Sequence, residues 1–138
     1  MNYESVEALV KQEQIDSGGS FITGVDIENY LNKIRLKAEL VTHYVEGECA
    51  GFVAFYCNNP SKEDAFITLV LVSPFFRGRG ISNILLSCVL DICKSRNFKT
   101  CTLEVKNNNL SAIRVYSNLG FLKVEENEEK TIMKIKLN

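Results

Sequence analysis

Residues 65–72 read Ala-Phe-Ile-Thr-Leu-Val-Leu-Val, apolar on both alternating faces and rich in branched side chains. A strand with two apolar faces has to be covered above and below, so this segment predicts an interior strand of a sheet. Soon afterwards the period changes: Ile81, Ile84, Leu85, Cys88, Val89 and Ile92 recur at helical spacing and predict a helix to about Ser95. An interior strand that feeds a helix through a short loop is a layered unit, and the rest of the chain has to supply its neighbours.

Those neighbours are legible on both sides. Val6, Leu9 and Val10 have helical spacing and run out into the loop Ser17-Gly18-Gly19-Ser20. Thr23-Gly24-Val25-Asp26 has the spacing of a capping box with aspartate in the reciprocal place, and Ile27, Tyr30, Leu31 and Ile34 form the stripe of a second helix to about Lys37. From Leu40 the period is two, and Glu46-Gly47-Glu48 turns the chain back into residues 50–56 as a hairpin. Thr100–Lys106 predicts a strand, Asn109–Leu119 a short helix stopped at Gly120, and Phe121–Glu125 and Thr131–Leu137 two closing strands. The predicted class is α/β, layered in the α+β sense: a mixed, mostly antiparallel central sheet flanked by helices. With 138 residues and 46% apolar content, residues 1–138 are expected to form a single domain around one core.

Charge and cysteine usage narrow the function. Acidic and basic residues nearly cancel to a net of −1 and the lysines are scattered, so nucleic acid and anionic membrane are not expected partners. The longest apolar stretch is far short of the ~20 residues that span a bilayer. Five cysteines (Cys49, Cys57, Cys88, Cys93, Cys101) form no C-x-x-C pair and His43 is the lone histidine, so no metal site is expected. Cys88 reads as a core filler on its helix stripe. Met1-Asn2-Tyr3-Glu4-Ser5 lacks the basic start and apolar run of a signal peptide, which points to free thiols and a cytoplasmic location. Tyr30 and Tyr44 either line a pocket or pack, with packing the simpler reading, and the acidic run at 125–129 either draws a cation or is a solvated turn.

The loop between the interior strand and its helix is Arg77-Gly78-Arg79-Gly80-Ile81-Ser82. Its glycines permit unusual torsions and close approach of a ligand to the main chain. The first N–H groups of a helix lack internal acceptors and, with the helix dipole, make an anion site; two arginines add forked donors. A pyrophosphate fits this arrangement, and so does a plain glycine turn with two solvated arginines. A Walker loop is excluded because no lysine follows Gly80, and a dinucleotide fingerprint would need its third glycine at Asn83.

Two longer patterns separate these readings. Val72-x-Pro74-x-x-Arg77-x-x-Gly80-x-Ser82 lies on the strand-to-helix junction, and Asn109-x-x-Ala112-Ile113-x-x-Tyr116-x-x-x-Gly120-Phe121 follows downstream. In these blocks, and in the order of elements from Leu40 onward, the chain resembles the GNAT superfamily of acyl-CoA-dependent N-acetyltransferases. It departs at Ser82, where the family prefers glycine or alanine, and at its start, where the family usually has a strand.

The resemblance implies acetyl-CoA as co-substrate, its pyrophosphate on Arg77, Gly78, Arg79, Gly80, Ile81 and Ser82, and its pantetheine arm along the backbone of Leu71 and Val72. It implies Asn109 beside the cofactor arm, although asparagine is equally a helix cap there. It implies Tyr116 as the acid that protonates the leaving thiolate; the alternative is a packing residue beside Ile113 and Leu119. Glu104 resembles the strand glutamate that serves as base in ribosomal-protein N-terminal acetyltransferases, and an exposed strand glutamate explains it as well. The implied reaction is direct attack of a primary amine of a small molecule or sugar. A peptide N-terminus is the alternative acceptor, and an acyl-CoA-binding module without turnover the non-enzymatic one. Exposed sheet edges would allow a homodimer.

Overall fold

The computed structural model describes residues 3–137. Two helices, α1 (Tyr3–Asp16) and α2 (Ile27–Lys37), precede the hairpin of β1 (Glu39–Val45) and β2 (Glu48–Tyr56). Then come β3 (Asp64–Val72), a 3-10 turn at Pro74–Phe76, α3 (Ile81–Ser95), β4 (Thr100–Lys106), α4 (Leu110–Leu119), β5 (Leu122–Glu126) and β6 (Lys130–Lys136). The strands lie in the order β1-β2-β3-β4-β6-β5. Every neighbouring pair is antiparallel except β3 and β4, which run parallel at the centre.

Strand alternation sorts the apolar side chains into two cores. Val53 and Phe55 of β2, with Leu103 and Val105 of β4, pack under α3 and α4 against Leu85, Val89 and Tyr116. Phe52 and Ala54, with Leu71 of β3, pack on the other face against Val6 and Val10 of α1 and Leu31 and Ile34 of α2. The interior strand expected at residues 65–72 is thus covered on both sides. The sheet is mixed and mostly antiparallel with flanking helices, as the residue pattern predicts.

Local chemistry departs from expectation at three places. The cap of α2 is Asp26, whose carboxylate accepts from the Asn29 N–H at 3.1 Å, and not Thr23. Cys88 is exposed, a correction to its reading as core. It shares an outward row with Ile84, Asp91 and Ser95, and the buried stripe runs through Ile81, Leu85, Val89 and Cys93 instead. The 3-10 turn at Pro74–Phe76 is too short to carry a periodic signal.

The central strands are tied at one end only. The Asp64 carboxylate accepts from the hydroxyls of Thr100 at 2.7 Å and Thr102 at 2.8 Å, across the start of the parallel pair. Pairing of β3 with β4 runs from Asp64↔Thr100 to Ile67↔Leu103 and goes no further, although both strands continue. Beyond Ile67 and Leu103 they part.

Candidate active site

A cleft of about 360 Å³ fills the space where β3 and β4 separate. Thr68, Leu69 and Val70 form one wall and Glu104, Val105 and Lys106 the other, with Asn109 and Tyr116 from α4. The loop between α1 and α2 closes a further side through Phe21, Ile22, Thr23 and Val25. That loop is held by Gln14, whose amide donates to the Ile22 carbonyl at 2.9 Å and accepts from the Ile22 N–H at 2.8 Å.

The edge of β3 inside the cleft carries main-chain groups that no strand takes. Ser73 donates its N–H to the Ala50 carbonyl at 2.8 Å, so ladder alternation turns Leu71 and Leu69 toward β2 and turns Val72 and Val70 toward the gap. Of the two positions expected to bind the pantetheine arm, Val72 faces the gap and Leu71 faces β2. The register slips between Ala54↔Leu69 and Phe55↔Ile67, leaving Thr68 as the extra residue of a bulge. Tyr30 reaches from α2 to this bulge, donating its hydroxyl to the Thr68 carbonyl at 3.1 Å and lying 2.9 Å from the Thr68 hydroxyl. Tyr30 therefore lines the cleft and fixes its wall, a role its helical spacing did not reveal.

β3 and the 3-10 turn deliver the chain to the glycine loop. Gly78 and Gly80 have φ of +80° and +74°, and a Cβ built at either would meet nothing within 4 Å. The glycines are required by torsion, then, while the space beside them stays open for a ligand. Gly80 caps α3 without any side-chain hydrogen bond, so the first N–H groups of the helix point outward uncapped. Arg79 lies over the Phe76 ring with its guanidinium carbon 5.3 Å from the centroid. Arg77 is engaged elsewhere: it donates to the Val72 carbonyl at 3.1 Å and to Glu13 of α1 at 3.0 Å.

Tyr116 is 8% exposed, its ring edge-on to Phe121 with centroids 6.0 Å apart. Among the described residues its hydroxyl has no hydrogen-bond partner, yet the residue lines the cleft. Burial pushes the phenol up to about 12, so it stays protonated at neutral pH. Asn109 caps α4, accepting from the Ala112 N–H at 3.3 Å, and also lines the cleft, so its capping role does not take it away from the cleft. Glu104 is half exposed, 3.8 Å from Lys130 of β6. Because Leu103 and Val105 point to the α3–α4 core, Glu104 and Lys106 point to the opposite face, where the α1–α2 loop lies. Tyr116 and Glu104 therefore approach the cleft from opposite sides of the sheet. Among the described residues no group of histidine, cysteine, aspartate and glutamate side chains is arranged to hold a metal.

A sheet parted between its one parallel pair, a protonated phenol in the opening, and an uncapped helix start on the segment that follows β3 make a frame suited to acyl transfer. The model of the acetyltransferase (GNAT) family matches residues 9–121, and the chain belongs to that family. It is 38% identical over 94 residues to an uncharacterized N-acetyltransferase of Methanocaldococcus jannaschii, a match covering 65% of this chain and 39% of that protein. It is 34% identical over 68 residues to the ribosomal protein bS18-alanine N-acetyltransferase of Salmonella typhimurium, covering 49% of this chain and 46% of that one. The match thus spans less than half the length of each of these two relatives. The crystal structure of the PaiA N-acetyltransferase of Thermoplasma acidophilum in complex with coenzyme A superposes with a TM-score of 0.76 at 16% identity, over 97% of this chain and 92% of that one. That likeness speaks to the fold alone. No helix among the described residues is long and apolar enough to cross a membrane.

Proposed function

We propose that this chain transfers the acetyl group of acetyl-CoA to a primary amine of a small molecule or sugar by direct attack. The observation that carries the reading is the parting of β3 from β4, which leaves the main chain of Val70 facing a cleft lined by Tyr116, Asn109 and Glu104. The residues present fit the co-substrate: open glycines at +φ, an uncapped helix start and the Arg79 cation suit a pyrophosphate, and an unpaired strand edge suits an amide-bearing arm. When bound, acetyl-CoA supplies an activated thioester carbonyl.

The chain's own residues orient the reaction and move its protons. The Ile81 and Ser82 N–H groups, with Gly78, Gly80 and Arg79, hold the phosphates at the head of α3. Arg77 braces the loop. The Val70 N–H, facing the gap, is positioned to stabilise negative charge that develops on the carbonyl oxygen. The amine approaches from the α1–α2 side, where Glu104 accepts its proton, through water where needed. As the C–N bond forms and the C–S bond breaks, the Tyr116 hydroxyl gives its proton to the departing sulfur. Its raised pKa keeps that proton in place beforehand.

A second reading takes a peptide N-terminus as acceptor. It is favoured by Glu104 in the cleft and by similarity to a bS18-alanine enzyme. Thiol release measured over amino acids, aminosugars, polyamines and alanine-initiated peptides separates the two. The small-molecule reading expects turnover of a free amine. Turnover of peptides alone would replace it, and no thermal shift with acetyl-CoA would remove both.

A further inference from the structure

Three charged side chains line the cleft, and they do not balance: Glu104 stands against Lys106 and Lys130. Lys106 of β4 and Lys130 of β6 are direct cross-strand partners, a like-charge pairing that costs stability unless something relieves it. Lys130 leans to Glu104 at 3.8 Å, a loose contact between half-exposed groups. Among the described residues Lys106 has no carboxylate partner. Its ammonium donates instead to the carbonyl oxygens of Ser20 and Phe21 on the α1–α2 loop, which fixes the cation at the cleft wall.

We infer that the acceptor carries an anionic group of its own, a carboxylate or phosphate, which binds between Lys106 and Lys130 while its amine lies by Glu104. This rests on the acetyltransferase reading above and adds the acceptor's charge. Glu104 and Lys106 are two residues apart on one strand, hence on one face and roughly 7 Å apart at their Cα atoms. That separation suits a molecule with an amine at one end and an anion a few bonds away. A polyamine presents only positive charge and meets two lysines against one carboxylate. The anion neutralises the facing lysines, so part of its affinity comes from repulsion already present in the empty site.

The test uses the full chain, acetyl-CoA and matched amine pairs: glucosamine 6-phosphate against glucosamine, alanine against alanine amide, and spermidine as the cationic comparison. The phosphate and carboxylate arms distinguish the two anions. The expected result is a kcat/KM at least tenfold higher for the anionic member of one pair, expressed mainly in KM. In Lys130→Ala and Lys106→Ala this ratio should fall toward one, and Lys106→Arg should restore much of it. A uniform loss of rate with the ratio preserved, as from a displaced loop, overturns the assignment, as does equal or better use of the neutral or cationic amines. Absence of transfer to any amine together with absence of an acetyl-CoA thermal shift falls on the acetyltransferase reading itself.

Discussion

The Arg77 guanidinium spans from the Val72 carbonyl, 3.1 Å away at the end of β3, to Glu13 of α1, 3.0 Å away. One side chain thus joins the strand that borders the cleft, the glycine loop and the first helix. The next residue of α1, Gln14, holds the loop whose Phe21 and Ile22 line the cleft. The end of α1 consequently anchors both the loop before α3 and the loop beside Glu104.

Arg77 and Arg79 should separate when each is replaced by alanine. Arg77→Ala removes a brace, so melting temperature and acetyl-CoA affinity are expected to fall together. Arg79→Ala, whose cation rests on an aromatic ring and has no carboxylate partner among the described residues, should reduce affinity with little change in melting temperature. Calorimetric titration beside thermal melts reads both; equal loss of stability in the two variants would remove the brace.

Gly80→Asp should fold and yet show no stabilisation by acetyl-CoA. A Cβ at Gly80 meets no atom within 4 Å, so the cost to the free protein is the left-handed torsion, about 1 kcal/mol. The new carboxylate, in contrast, would repel the phosphates at the proposed site. Gly80→Ala should retain a ligand-induced shift, reduced in size, in the same thermal assay.

Tyr116→Phe is expected to lower kcat on the order of 100-fold with little effect on acetyl-CoA affinity. The phenol also sets an alkaline signature. Its folded pKa of about 12 exceeds the ordinary 10.0, so its contribution to stability is complete below pH 10 and is lost as pH rises through 12. Wild type should therefore lose stability relative to Tyr116→Phe between pH 10 and 12, by on the order of 2 kcal/mol. Denaturant titrations across that window check the sign, and parallel curves for the two proteins would contradict the burial of the phenol.

Gly51→Ala should destabilise the fold although no ligand is near. A Cβ there would lie 2.8 Å from the Leu71 carbonyl oxygen, a backbone atom that cannot move aside, so β2 and β3 must separate locally. A loss of about 1–3 kcal/mol in chemical denaturation is expected. Because β3 also forms the cleft wall, acetyl-CoA affinity should weaken with it.

The fold was legible wherever one side-chain period ran long enough. The doubly apolar run at 65–72 and the stripe from Ile81 to Ile92 named the interior strand and its helix, and residues 100–106 were bounded as the structure has them. Cys88 was misread because six apolar positions over a helix leave two adjacent rows to choose from, and only packing against the sheet selected the row without it. Lys106 and Lys130 were missed as cleft residues, and Tyr30 was left between pocket and packing, because the elements bearing them are distant in sequence and each looked like an ordinary packing or solvated side chain.

Residue order alone determined the element types, the glycine torsions before α3 and the motif that assigns the chain to its family, because these depend on steric preference and periodicity over a few neighbouring residues. Tertiary structure decided where β3 and β4 part, which face of β4 carries Glu104 and Lys106, and which main-chain groups stay unpaired. Those depend on how far a parallel register extends and on alternation between strands, relations among segments that a linear pattern does not contain.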